Sequence, residues 1–114
     1  LTVFNFIENI EKIIYQSDLC IGAAGSSSWE RCTLGCPSIN IITDENQKEI
    51  GIKLLSENAA YVIDLEKQFE KRFCSDLEKL IFDNKKRYNL SKSTSKVCDG
   101  NGVQRIIKVL EDYI

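Results

Sequence analysis

The sequence predicts an α/β fold in which a parallel β-sheet is covered by helices on both faces. Three short apolar runs, at 19–22, 38–43 and 60–65, have the length and composition of buried strands. Segments with apolar residues at three- and four-residue steps, typical of amphipathic helices, separate these runs. Strands that alternate with helices form parallel sheets packed on both faces. A chain of 114 residues fits one domain, and we expect residues 1–114 to form a single unit.

The first half of the chain is predicted to contain a strand, helix, strand unit. An amphipathic helix is expected from Phe6 to about Gln16, ahead of the first of these strands. A second helix, at 26–34, lies between the first two strands. It ends at Gly35-Cys36-Pro37, because glycine caps helices and proline cannot continue them.

The second half is predicted to contain more helix. A helix at about 47–57 precedes the third strand, and its apolar positions suit one buried face. Two further amphipathic helices are expected at 69–83 and 102–113. The polar segment at 84–96 lies between them and receives no predicted element.

The amino-terminal residues predict that the chain is part of a longer polypeptide. Leu1-Thr2-Val3-Phe4 has the pattern of a β-strand that begins at the first residue of the chain, and the sequence contains no methionine. No apolar stretch approaches the roughly 20 residues that span a bilayer, so we expect no transmembrane segment.

Charge and composition argue against several classes of function. A net charge of −2 and a pI near 5.2 provide no general attraction for nucleic acid, and the basic run at 85–87 is typical of a solvated surface. The chain has no histidine, which removes the commonest general base. We therefore predict no catalytic residue in this chain and no activity for it alone.

The cysteines predict a protein of a reducing compartment. The five cysteines form no C-x-x-C pair, and no histidine completes a zinc site, so we expect no metal and no other cofactor. An odd number of cysteines without a signal peptide favours reduced thiols in a cytoplasmic protein, most of them small buried side chains.

The loop at 22–28, Gly-Ala-Ala-Gly-Ser-Ser-Ser, is the segment most suggestive of a ligand. It runs from a predicted strand directly into a predicted helix, where free amides, serine hydroxyls and the helix dipole favour phosphate oxygens. Ligands of open α/β sheets bind at this edge. An ordinary strand-to-helix turn with a serine N-cap explains the same residues.

Three polar residues near this loop have two interpretations each. Glu30 suits the two hydroxyls of a ribose, or simply the dipole at the start of a helix. Asn46 and Gln47 follow the second strand and suit sugar hydroxyls, although an asparagine at position 46, taken alone, more often caps the next helix. Trp29 is expected to pack in the core. Arg31 is expected to cover apolar surface with its stem rather than meet phosphate.

The run SDLCIGAAGSSSWERCTLGCPS followed by ENQ, and the tail DGNGVQR, resemble a known family. They resemble the carboxy-terminal half of the UDP-2,4-diacetamido-2,4,6-trideoxy-β-L-altropyranose hydrolases of pseudaminic acid biosynthesis and related spore-coat polysaccharide proteins. More distantly, the chain is similar to the GlcNAc transferase of peptidoglycan synthesis, whose carboxy-terminal half is of the glycosyltransferase family 28 type. The resemblance implies a Rossmann-like, partial carboxy-terminal domain of a GT-B fold.

The resemblance also implies roles for particular residues. Gly25, Ser26, Ser27 and Ser28 would face the diphosphate of a UDP-sugar and Glu30 would hold its ribose. Asn46 and Gln47 would contact the sugar. The amino-terminal half of such an enzyme, including its catalytic histidine, is expected to lie outside this chain and to complete the cleft.

Four interpretations follow for the whole protein. The main one is a hydrolase that releases UDP and a free diacetamido sugar for surface polysaccharide or pseudaminic acid synthesis. The alternative is a UDP-sugar-dependent glycosyltransferase of cell-wall or surface glycan assembly. A non-catalytic module that pairs with another chain would show a large exposed apolar patch. A redox domain is disfavoured because the G-x-G-x-x-G turn is absent.

Overall fold

The computed structural model describes residues 1–65 and 68–114 and contains a three-stranded parallel sheet. The strands lie in the order β1 (Cys20–Ala23), β2 (Ser38–Ile42) and β3 (Tyr61–Asp64). Both pairs are parallel, which confirms the predicted sheet. Each strand begins within one residue of the predicted start. All three carboxyl ends therefore lie at one edge of the sheet, where the loop at 22–28 begins.

Helices connect the strands and cover both faces of the sheet. The helices are α1 (Ile10–Gln16), α2 (Ser27–Thr33), α3 (Lys48–Ser56), α4 (Phe69–Phe82), α5 (Asn84–Ser95) and α6 (Gly102–Glu111). A short 3₁₀ turn, Glu45–Gln47, precedes α3, whereas the sequence predicted one continuous helix that starts at about residue 47.

The hydrophobic core is divided between the two faces because side chains alternate along each strand. On one face, Val62 of β3 packs with Cys32 of α2 and Leu54 of α3, and Trp29 packs against this cluster. On the other face, Ile39 and Ile63 pack with apolar residues of α4 and α5. The sheet is thus a middle layer between two pairs of helices.

The segment at 84–96, which received no predicted element, forms helix α5. Asp83 starts it, because its carboxylate accepts a hydrogen bond of 3.0 Å from the backbone N–H of Lys86. Thr94 donates its hydroxyl to the Ala59 carbonyl at 2.6 Å, and Ser91 donates to the Gly35 carbonyl at 2.6 Å. These long-range hydrogen bonds hold a polar helix that composition alone does not predict.

The prediction for the amino-terminal residues is wrong in two respects. Leu1 to Phe4 form no strand; they are exposed and pair with none of the described strands. The first helix begins at Ile10 rather than Phe6, and Phe6 is 82% exposed. Ile14 is the one buried residue of this helix, and residues 1–6 are all exposed.

Helix α6 has a pronounced apolar face that remains exposed. Val103, Ile106, Ile107 and Leu110 are 49–64% exposed, and no residue of the helix is buried. Its start is held by the Asp99 carboxylate, which accepts hydrogen bonds from the Arg105 guanidinium. Within 1–65 and 68–114, no helix is sufficiently long and apolar to cross a bilayer.

Candidate functional site

The loop at 22–28 presents three backbone amides without partners. Ala24 donates its N–H to the Ile41 carbonyl at 2.8 Å, which continues the sheet pairing just past β1. The N–H of Ser28 then bonds the Gly25 carbonyl at 3.0 Å, which closes a tight turn. Between these bonds, the amides of residues 25, 26 and 27 bond no described residue. Three consecutive free donors therefore lie at the carboxyl edge of the sheet.

The three serines of the loop occupy different environments. Ser26 is exposed and, although it stands at the N-cap position, its hydroxyl makes no capping hydrogen bond. Ser27 is half-buried and its hydroxyl accepts from Arg31. Ser28 is 1% exposed, and its hydroxyl donates to the Asn40 carbonyl oxygen at 3.1 Å. The Ser26 hydroxyl and the O–H of Ser27 have no acceptor among the described residues, so both can donate to a ligand.

Arg31 lies beneath the loop, with a side chain that is 7% exposed. Its guanidinium donates to the Ala23 carbonyl at 2.8 Å and to the hydroxyls of Ser27 and Ser28, each at 3.1 Å. A fourth hydrogen bond goes to Oδ1 of Asn40. The sequence suggested only a stem that covers apolar surface, and it did not predict these hydrogen bonds of the guanidinium. In the sequence, Arg31 follows Ser28 by three residues and Ser27 by four, and side chains at these spacings meet on one face of a helix.

Asn40 anchors this polar cluster to the sheet. It lies in the middle of β2, is 0% exposed, and donates its Nδ2 to the Ser38 hydroxyl at 2.8 Å. Its partner in β1 is Gly22, and a Cβ on Gly22 would stand 3.1 Å from Nη1 of Arg31. A side chain at Gly22 would therefore crowd the guanidinium. The sequence signal for Asn40 was a lone amide in an otherwise apolar strand.

Burial lowers the pKa of Arg31, because desolvation disfavours the charged form. Its guanidinium forms no salt bridge with a carboxylate in the described parts of the chain. Arginine nevertheless stays protonated in proteins. The inner side of the loop therefore carries a positive charge that no carboxylate neutralises directly.

Gln47 lies across from the loop and Asn46 faces solvent. Oε1 of Gln47 accepts from the N–H of Thr43 at 2.9 Å and from its hydroxyl at 3.0 Å. Nε2 of Gln47 stands 3.9 Å from the position that a Cβ would take on Gly25. Asn46 is exposed and makes no cap, since Asp44 is the residue that accepts from the N–H of Glu45. The structure thus brings Gln47 to the loop.

Glu30 is exposed in the first turn of α2. Its carboxylate forms no hydrogen bond or salt bridge with another described residue. It is therefore available to a ligand beside the loop, and the dipole of α2 adds only a general stabilisation to it.

Cavities lie at both ends of the sheet. One of about 280 Å³ lies at the carboxyl edge and is lined by the last residues of β2 and β3 and those just after them, including Thr43 and Asp64. A larger one, of about 470 Å³, lies where β3 begins and is lined by Arg72, Lys79 and Lys86 of α4 and α5. The larger cavity is therefore not part of the loop site.

Two thiols lie close together at the amino end of the sheet. The Sγ atoms of Cys20 and Cys36 are 3.3 Å apart. The hydrogen bond from Cys36 lowers the pKa of Cys20 to about 7; burial opposes this shift and the charge of Arg31 adds to it. The same hydrogen bond, together with burial, raises the pKa of Cys36. All five cysteines are free. Two of them, Cys32 and Cys36, are buried, so the expectation that most would be buried is wrong.

Comparison with known proteins identifies relatives along the whole chain. The model of the glycosyltransferase family 28 C-terminal domain matches residues 1–110. A UDP-N-acetylglucosamine–N-acetylmuramyl-(pentapeptide) pyrophosphoryl-undecaprenol N-acetylglucosamine transferase of Caldicellulosiruptor saccharolyticus is 29% identical over 119 residues, which cover 100% of this chain and 32% of that protein. The enzyme of the same name from Helicobacter pylori is 32% identical over 85 residues, or 70% of this chain and 24% of the relative. The chain thus spans a third or less of these relatives.

Proposed function

Because the chain belongs to the family of glycosyltransferase family 28 C-terminal domains, we propose that it binds the UDP-sugar donor of a glycosyltransferase. The observation that carries this proposal is the run of three free amides at residues 25–27. Free amides bind phosphate oxygens, and open α/β sheets bind ligands at the carboxyl edge of their strands. We assign the diphosphate to this loop.

The remaining site residues are assigned by their positions around the loop. Glu30, with its free and exposed carboxylate, accepts hydrogen bonds from the ribose hydroxyls. Gln47, beside Gly25, and Asn46 contact the sugar. Ser28 is buried, so we assign its hydroxyl to holding the loop rather than to touching the diphosphate. The names of both relatives include UDP-N-acetylglucosamine, which makes it the donor to test first.

A transferase is proposed in place of the hydrolase that the sequence favoured. The matched family and the relatives reported above are glycosyltransferases, whereas the likeness to the pseudaminic acid hydrolases, although it covers nearly the whole chain, is specific only in the block from Gly22 to Pro37. By analogy with the names of those relatives, the acceptor is a sugar carried by a polyprenyl pyrophosphate.

We also propose that residues outside these 114 complete the cleft. The chain covers 32% and 24% of the two relatives, and it contains no histidine to serve as a base. The additional segment supplies the acceptor site and the groups that act on the reacting atoms. A half-site alone binds weakly, because few contacts offset the cost of immobilising a ligand.

The binding proposal is tested by NMR on the intact protein that carries this chain. Addition of UDP is expected to shift the amide signals of Gly25, Ser26 and Ser27 and the side-chain amide of Gln47. Uridine, which lacks phosphate, is the matched control and is expected to leave the three loop amides in place. If UDP shifts signals elsewhere but not in the loop, the diphosphate assignment is wrong.

The reaction is tested by following UDP release from UDP-N-acetylglucosamine. A transferase releases UDP only when a lipid-linked acceptor is added, and the sugar then appears on the acceptor. A hydrolase releases UDP and free sugar in equal amounts without an acceptor. The second outcome would reinstate hydrolysis as the activity.

A further inference from the structure

The buried charge of Arg31 is the feature for which the proposed function provides no role. A buried cation without an ionic partner costs free energy, and an apolar side chain of similar volume often serves stability as well. Nη1 and Nη2 have hydrogen-bond partners, but Nε is buried with no partner among the described residues. Neutral hydrogen-bond partners therefore satisfy most N–H donors of the guanidinium, but they do not neutralise its positive charge.

The position of this charge relates it to the loop. Arg31 bonds the carbonyl of Ala23, the last residue of β1, and the hydroxyl of Ser27 within the turn. Its Nη1 also lies close to the backbone of Gly22, where a Cβ would be only 3.1 Å away. The guanidinium thus contacts the inner side of the segment whose amides at 25–27 have no partners. Because the side chain is 93% buried by this packing, it acts through the loop and not by touching a ligand.

We propose that Arg31 is a positioning residue of the donor site, which holds the loop and supplies the unneutralised charge that favours a bound diphosphate. This inference rests on the proposed function. Glu30 and the Cys20 thiol act on the guanidinium only through space, without a salt bridge, and a diphosphate on the outer side of the loop adds a further anion near it. The buried charge is then compensated when the ligand binds, because charges interact strongly where water is excluded.

Asn40→Asp tests the charge while the fold is preserved. Asparagine and aspartate have nearly the same shape, and the new carboxylate accepts the same hydrogen bonds from Arg31 and Ser28. The neighbouring guanidinium keeps that carboxylate ionised. The substitution therefore neutralises the charge and leaves the guanidinium in place. Asn58→Asp, at an exposed position distant from the loop, adds the same net charge and serves as the matched control.

The measurement is the dissociation constant of UDP and of uridine for the intact protein, by calorimetry or NMR. Asn40→Asp is expected to weaken the binding of UDP about tenfold, equivalent to about 1.4 kcal/mol. The dissociation constant of uridine is expected to change less than twofold. Asn58→Asp is expected to change neither. Arg31→Lys keeps the charge and is expected to bind UDP more tightly than Arg31→Met. If Arg31→Met fails to fold, Asn40→Asp and Arg31→Lys still decide the question.

Two results would overturn the inference. If Asn40→Asp binds UDP as the wild-type protein does, the charge has no role in the site. If the substitution weakens the binding of uridine as much as the binding of UDP, Arg31 acts through the general structure of the domain. A wild-type protein that binds UDP in either case leaves the proposed function standing, whereas a wild-type protein that binds no UDP overturns both.

Discussion

Removal of the Asn40 side chain is expected to destabilise the domain far more than its small size suggests. Asn40 is 0% exposed, and its oxygen accepts from Ser28 at 3.1 Å and from Arg31. Its nitrogen donates to the Ser38 hydroxyl at 2.8 Å. The substitution Asn40→Ala deletes all three hydrogen bonds and leaves buried partners unsatisfied.

The expected loss is about 4 kcal/mol of unfolding free energy. Each of the two hydrogen bonds between neutral groups contributes about 1 kcal/mol, and the one from the charged guanidinium contributes about 2 kcal/mol. Arg31 retains its bonds to Ala23, Ser27 and Ser28, so its burial is not wholly uncompensated. Domains are stable by only about 5–15 kcal/mol, so the variant is expected to be close to unfolding.

Urea unfolding followed by the fluorescence of Trp29 measures this loss. Trp29 is the one tryptophan of the sequence and packs against the core beneath α2. Asn46→Ala is the control, because Asn46 is exposed at the same sheet edge and its loss is expected to change stability by less than about 0.5 kcal/mol. A loss below about 1 kcal/mol for Asn40→Ala would contradict the view that this network is closed to water.

Three further outcomes are expected. Glu30→Gln weakens UDP about tenfold in calorimetry, the scale of a charge-assisted hydrogen bond; an unchanged constant would remove Glu30 from the site. Hydrogen bonds from Arg105 hold the pKa of Asp99 at about 2, below its ordinary 3.8, so this pair stabilises the fold above pH 3.8 and loses its contribution as pH falls through about 2. Arg105→Gln raises the Asp99 pKa towards 3.8 in carboxyl NMR titrations; no change would exclude Arg105 as the cause. Alkylation of Cys20, followed by mass spectrometry, titrates near pH 7 and moves to higher pH in Cys36→Ala, because the donor thiol is removed; an unmoved midpoint would refute this hydrogen bond.

The sheet could be predicted because its strands and connecting helices have clear local patterns. Val62 and Ile63, like the isoleucines of β2, lie in short apolar runs bounded by polar or turn residues. Gly35 in a left-handed conformation at φ 64° ended α2 as expected, because glycine adopts such angles without steric cost. These signals are contained within a few residues and need no knowledge of distant contacts.

Elements that depend on distant partners were not predicted correctly. Helix α5 is polar, and the hydroxyls of Ser91 and Thr94 bond carbonyls that are 56 and 35 residues away in sequence. No local pattern encodes such pairs. The opposite error occurred at residues 1–4, where apolar side chains suggested a strand, although a strand needs a neighbour to satisfy its backbone groups.

The candidate site was predicted in outline because glycine and serine between a strand and a helix signal a ligand loop. The sequence could not indicate which serine faces outwards, since three identical residues differ only in their position on the first turn of α2. Ser28 lies over Asn40 and becomes part of the buried network, whereas Ser26, two residues earlier, points away from any described partner. The polar residues of this loop therefore form two layers. The inner layer, with Arg31, fixes the backbone, and this fixed backbone leaves the amides of the outer layer free to bind a ligand.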